Sequence, residues 1–165
     1  MSKIIDMMSE KLYLDRIALV AHGETGMSYE EKGAWVYLMV VLGTYGAYLA
    51  VILSRADGMP LAEVAYVAPM LWLIGISIAL NIVGRVVVET AKPSETTKSD
   101  VRDKDINRLG GYVGGVVLAV AMAVPFGLAL AKASQFWIAN AMYAAFVAFA
   151  LASTLVRIVA YRRGL

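Results

Sequence analysis

Six charged side chains crowd the nine positions from Asp100 to Arg108, the densest charge in a chain of 165 residues. Asp100, Arg102, Asp103, Lys104, Asp105 and Arg108 are of mixed sign, so the chemistry open to them is docking of a partner surface through charge-assisted hydrogen bonds. A patch that held anionic lipid by charge alone would be mostly Lys and Arg. The same residues also suit a solvated helix whose charges pair with each other, Asp100 with Lys104 at i,i+4 and Asp105 with Arg108 at i,i+3.

A second group is polar and neutral. On helical spacing Tyr37, Thr44, Tyr45 and Tyr48 share one broad face, while Ser77, Asn81 and Arg85 recur every four residues. Asn140, Tyr143, Thr154 and Arg157 share a third face. Tyr37, Thr44, Tyr48, Ser77, Asn81, Asn140 and Tyr143 are therefore candidates to line a small polar cavity. The plainer alternative is hydrogen bonding between helices, worth under about 1 kcal/mol per bond on average in a membrane.

Harder chemistry lacks its residues. Cys is absent, which excludes disulfides and thiolate metal sites. His22 is the only histidine, and one His without clustered carboxylates is not a metal site. It reads as a solvent-facing or helix-end residue. No serine sits in a nucleophile elbow. The run Gly110-Gly111-Tyr112-Val113-Gly114-Gly115 follows no strand, so it is not a dinucleotide loop. The expectation is a non-enzyme with no catalytic residue, no cofactor, no metal and no direct contact with nucleic acid.

The elements that must position these groups are apolar helices. The chain is 60% hydrophobic and 17% charged, whereas soluble domains run at roughly 45–50% and about 25%. That departure points to a membrane. From Gly33 to Leu53 no residue is charged, enough to cross a bilayer core of about 30 Å. Ser28 as N-cap with Glu31 at N3 has capping-box spacing. Ser54 to Pro60 reads as a tight turn, and a second span follows over about Leu61 to Val83, kinked between Ala65 and Pro69. Pro93 to Lys98 is a loop. A helix from Ser99 or Asp100 should then run straight into a third span, Gly110 to Ala131, bent at Pro125. Lys132 to Gln135 is a second turn, and a fourth span covers about Phe136 to Val156. Glu63, Arg85, Glu89 and Arg157 all fall near span ends. With no ionisable residue in mid-span, proton coupling through a buried carboxylate has no support. Gly110, Gly111, Gly114 and Gly115 contain two overlapping GxxxG spacings, which permit close helix approach within a bundle or between protomers.

The fold class expected is all-α: four transmembrane helices arranged as two hairpins, plus an N-terminal amphipathic helix over 1–22 that Gly23 and Gly26 end. The divisions are 1–26 for that helix, 27–91 for the first hairpin, 92–109 for a charged loop and helix, and 110–165 for the second hairpin. The N-terminal helix would lie on the membrane surface or dock on a partner. Met27 also suits the start of a membrane protein, which would make 1–26 a start-site extension. The two short turns hold only Arg55 and Lys132, while the other thirteen of the 15 Lys and Arg flank the N-terminus, the middle loop and the C-terminus. This asymmetry places both termini and the middle loop in the cytoplasm of a bacterial cell, with the chain multi-pass in the cytoplasmic (inner) membrane.

Shifting the chain by 77 positions aligns Gly33, Val36, Val40 and Ala56 with Gly110, Val113, Val117 and Ala133. A shift of 72 aligns Met70 with Met142 and Arg85-Val86-Val87 with Arg157-Ile158-Val159. A tandem duplication would explain both, and it would be a parallel repeat rather than the inverted kind of many transporters.

The run Ser99-Asp100-Val101-Arg102-Asp103-Lys104-Asp105-Ile106, followed by Gly111-Tyr112, resembles the D-E-R-D-x-E-I…G-Y stretch of an uncharacterised family of small prokaryotic four-span membrane proteins, a domain of unknown function. Val101 and Asp105 stand where that family has glutamates, and the N-terminal helix is not part of its pattern. The resemblance covers about fifteen residues and the hairpin–loop–hairpin plan, and it implies no activity. The function expected is that of a non-enzymatic integral membrane accessory or regulatory protein that binds a partner at its cytoplasmic face. The alternative is a small oligomeric channel or transporter with a neutral polar pathway. Partners expected are membrane lipid, further copies of the chain or a membrane complex, and a cytoplasmic protein.

Overall fold

The computed structural model describes residues 29–91 and 101–163. The helix expected over 1–22, His22, the Ser28 cap, the loop from Pro93 to Lys98 and Asp100 lie outside the described residues. Five α-helices follow in order: α1 Tyr29–Arg55, α2 Val67–Ala91, α3 Val101–Ala121, α4 Ala123–Leu130 and α5 Gln135–Arg163. A single 3-10 turn, Leu61–Glu63, precedes α2. No strand occurs among the described residues. Four stretches are long and apolar enough to cross a membrane: Glu31–Arg55, Val67–Val88, Arg102–Leu130 and Gln135–Arg163.

Proline sets two of the breaks. The second span does not begin at Leu61 with a kink before Pro69. Residues from Val64 to Tyr66 leave the helical path, and α2 starts only at Val67, with Met70 N–H donating to the Tyr66 carbonyl at 3.0 Å. Pro69 thereby sits in the first turn, where its missing N–H costs nothing because that donor has no intrahelical partner. Pro125 reaches the same position, third in α4, by a break in the third span. The third span breaks into α3 and α4 at Met122, three residues before it, and Phe126 N–H bonds the Met122 carbonyl across the break at 3.2 Å. Helix α3 is continuous from Val101, so the boundary drawn at 109/110 falls inside one helix. Helix α5 runs seven residues beyond the expected end at Val156 and carries Arg157, Arg162 and Arg163 on helical backbone.

The spine of the fold is the seam between α1 and α5. On α1 the buried residues Glu31, Ala34, Leu38, Val41, Thr44, Tyr48 and Ile52 recur every three or four residues, the spacing of one helix face. Phe136, Val147, Ala150 and Thr154 answer them on α5, with half-buried Asn140 and Tyr143 completing the rhythm. Each outer helix packs on one of these two: α2 on α1, and α3 on α5, which also carries α4. The order across the bundle is thus α2–α1–α5–α3. The outer face of α2 is almost wholly apolar, with Trp72 73% exposed alongside Leu71, Ile78, Ile82 and Val83. A helix of this kind is stable where its solvent is hydrocarbon.

The two GxxxG spacings on α3 divide. A Cβ on Gly110 would come within 2.7 Å of Arg157 Cγ and 2.8 Å of the Ser153 carbonyl oxygen. One on Gly114 would meet Ser153 Cβ at 2.9 Å and the Phe149 ring at 3.0 Å. Gly111 and Gly115 face open space. Gly110 and Gly114 therefore let α3 close on α5, and the other pair takes no part in that contact.

Candidate functional site

The residues with chemical potential gather at three levels along the bundle. At the end with the two short turns, Tyr48 is 1% exposed and donates its hydroxyl to Asn140 Oδ1 at 2.6 Å. Asn140 Nδ2 in turn donates to the Phe136 carbonyl at 2.8 Å. The rings of Tyr45 and Tyr48 meet the Tyr143 ring edge-on at 5.3 and 5.2 Å. This cluster fills the α1–α5 seam, with Tyr48 and Asn140 bonded to one another. Nearby, Arg55 Nη1 donates to the Ala65 carbonyl at 3.1 Å and pins the turn to α1.

In the middle, a lateral groove of about 210 Å³ opens between α1, α2 and α5. Tyr37, Thr44, Ser77 and Tyr143 line it among apolar neighbours. Thr44 Oγ1 is already committed to the Val40 carbonyl at 2.7 Å. The groove's polar content is accordingly low.

At the opposite end a cavity of about 330 Å³ lies where α1, α2, α3 and α5 converge. Its polar lining is Tyr37, Asn81, Arg85, Asn107, Thr154 and Arg157. Asn81 Nδ2 bonds the Ser77 carbonyl at 2.8 Å and Thr154 Oγ1 the Ala150 carbonyl at 2.7 Å, so each lies back along its own helix. Arg157 Nε is buried without a hydrogen-bond partner among the described residues. The Arg157 stem lies over Gly110, which has no side chain to exclude it, and α1 closes on α2 beside the cavity because Gly84 leaves room for Val36.

The charged stretch borders this same end. Lys104, Asp105 and Arg108 are exposed and form no ion pair among the described residues, so the expected Asp105–Arg108 pair is not made. Asp103 is half-buried and accepts a hydrogen bond from the Tyr161 hydroxyl at 3.1 Å, tying α3 to α5. Arg102 is likewise engaged. Arg162 Nε lies 3.7 Å from Glu31 Oε1, and its guanidinium sits 5.4 Å from the centre of the Trp35 ring, closing α5 on α1.

Of the seven residues expected to line one polar cavity, Tyr37 and Asn81 line the basic cavity, and Tyr37, Thr44, Ser77 and Tyr143 line the groove. Tyr48 and Asn140 bond each other instead. The polar stripes read from the sequence include Arg85 and Arg157, but they give no sign of Asn107. Two polar stripes, one on α2 and one on α5, each end in an arginine at the same end of the bundle.

Fold and site together define an all-helical protein with four membrane-length helices and a basic cavity at one end. No family model, no curated protein and no solved structure matches the chain.

Proposed function

We propose that the chain is a non-enzymatic accessory or regulatory protein of the bacterial inner membrane that binds a partner at its charged, cytoplasmic end. The observation that carries this reading is the division of polar groups along the bundle. Tyr48, Asn140 and the three-tyrosine cluster plug the α1–α5 seam, whereas exposed charge without ion-pair partners among the described residues stands on α3 at Lys104, Asp105 and Arg108. A conduit needs polar groups left free along its length; a docking face needs them free at one end. In this reading both termini are cytoplasmic, the spans form two hairpins related by a parallel repeat, and Arg85 and Arg157 are its equivalent positions. The likeness to the small four-span family rests on Ser99 to Ile106 and Gly111-Tyr112.

The test is a photo-crosslinking amino acid placed at Lys104 or Arg108, with Asp57 in the short turn as the control position. In the protein's own membranes the α3 positions should give a discrete adduct and Asp57 none. The charge reversal Lys104→Glu with Arg108→Glu should remove the adduct without altering the helical spectrum. Asp103 is unsuitable for such a reversal because it holds Tyr161. Adducts absent from both α3 positions, or retained after the reversal, refute the reading. The groove between α1, α2 and α5 favours the channel alternative to one extent: it opens sideways, so a pathway through it would be completed by a second copy. Solute flux in liposomes, reduced by Asn81→Leu, would move the assignment there.

A further inference from the structure

We infer that the cavity at the charged end is a binding site for a phosphate-bearing anion, held between Arg85 and Arg157. This is independent of any protein partner on α3.

Arg55 and Arg162 spend their donors on a carbonyl and a carboxylate. Arg85 and Arg157 line one cavity, and among the described residues neither makes a hydrogen bond or an ion pair. No Asp or Glu is among the residues that line it. Among the described residues, two positive charges, exposed Arg85 and half-buried Arg157, therefore border one space with no opposite charge lining it. That arrangement is unfavourable, and more so for Arg157, whose Nε is cut off from solvent. An anion with several acceptor oxygens relieves both penalties at once.

The chemistry narrows the anion to phosphate. A guanidinium presents a planar fork of donors that matches the spacing of phosphate oxygens and bonds them in pairs. Asn107 and Tyr37 add neutral donors from α3 and α1, and neither has a protein partner among the described residues. A volume of about 330 Å³ lies at the small end of the range for ligand sites, enough for a headgroup or a small phosphate ester. Ile82 and Val88 give the α2 wall an apolar surface, and Ile82 is exposed on the lipid side as well. Arg85 and Arg157 each lie six residues from the end of a helix. At 1.5 Å per residue that is about 9 Å, within reach of the interfacial layer for a snorkelling side chain.

Two sources supply this chemistry, an anionic phospholipid and a soluble phosphate ester. The experiment separates them. The full-length chain in a neutral detergent is titrated with phosphatidylglycerol and with phosphatidylcholine of the same acyl chains, and adducts are counted by native mass spectrometry. The same preparation is heated with and without millimolar inorganic phosphate. A lipid occupant predicts phosphatidylglycerol adducts at roughly tenfold lower concentration than phosphatidylcholine, the equivalent of about 1.4 kcal/mol. A soluble occupant predicts a rise in unfolding temperature with inorganic phosphate and no lipid preference. In either case R85Q/R157Q abolishes the effect. R157K keeps the charge and the stem over Gly110 but loses the fork. It should weaken binding several-fold while unfolding as the wild type does, which keeps the test valid if the double variant does not fold. The inference is overturned if both lipids bind equally and phosphate has no effect. It is also overturned if R85Q/R157Q, or R157K where the double variant fails to fold, binds as tightly as the wild type.

Discussion

Replacing the four glycines of α3 one at a time by alanine should sort them into two classes of opposite sign. In a helix interior the change gains about 1 kcal/mol of intrinsic propensity, wherever the glycine sits. What differs is the space for a methyl group. At Gly111 and Gly115 nothing lies within 4 Å of the new Cβ, so the gain should survive as about 0.5–1 kcal/mol of added stability. At Gly110 the Cβ would stand 2.8 Å from the Ser153 carbonyl oxygen, a backbone atom that cannot rotate away, and 2.7 Å from Arg157 Cγ. Overpacking of this kind costs roughly 1–3 kcal/mol, so against the propensity gain the net change is a loss of up to about 2 kcal/mol. Gly114 meets Ser153 Cβ and the Phe149 ring at 2.9 and 3.0 Å, and a ring can turn slightly, so its loss should be smaller, at most about 1 kcal/mol. The gap between Gly110→Ala and Gly111→Ala is then about 2 kcal/mol, roughly a thirtyfold difference in the unfolding constant. Reversible unfolding of the purified chain in mixed detergent, followed by far-ultraviolet circular dichroism, reads it directly. Four variants within a few tenths of a kcal/mol of one another would refute the assignment of Gly110 and Gly114 to the α3–α5 contact. A costlier change at Gly111 or Gly115 would instead place the important contact on the other face.

Three further outcomes follow from the same structure. Tyr48→Phe removes the hydroxyl that Asn140 receives and should cost about 0.5–1.5 kcal/mol in the same unfolding assay; a double change with Asn140→Leu should cost less than the sum of the singles. Lys132 ends α4 in a left-handed conformation, φ 55°, with its N–H on the Ala129 carbonyl and the Ala133 N–H on the Leu128 carbonyl, the pattern that glycine usually serves. Lys132→Gly should therefore stabilise the chain by about 0.5–1 kcal/mol. Because the chain has no Cys, single cysteines report topology cleanly: if the termini are cytoplasmic as proposed, a membrane-impermeant maleimide should label Asp57→Cys in intact cells and Lys104→Cys only after permeabilisation, and the reverse pattern would refute that orientation.

Most of the architecture was legible because a membrane-length apolar run is a one-dimensional signal. Composition and the spacing of charge indicate four helices, and the structure has four such stretches. The turns at Ser54 to Pro60 and Lys132 to Gln135 were likewise plain. Helix ends were less so. Pro69 reads in sequence as a kink within a long span, yet the chain starts α2 later, which removes the conflict instead of bending around it. The far end of α5 was placed too early because Arg157 looks like a span terminus, whereas backbone hydrogen bonding continues through the basic residues to Arg163.

The sequence by itself determined the class of protein, the number of membrane-length helices, the charge asymmetry between the two ends, and the presence of two GxxxG spacings and three polar stripes. Each is a local or periodic property, legible without knowing which helix touches which. Tertiary structure alone decided how those faces are paired. It set Gly110 and Gly114, not Gly111 and Gly115, against α5, and turned Asp103 inward to Tyr161 while leaving Lys104 outside. It also closed Tyr48 on Asn140 and brought Arg85 and Arg157, far apart in the chain, to one cavity. The physical reason is that apolar helices of similar composition can pack in many rotations at nearly equal burial. What selects one rotation is close contact between particular side chains, and no one-dimensional pattern records that contact.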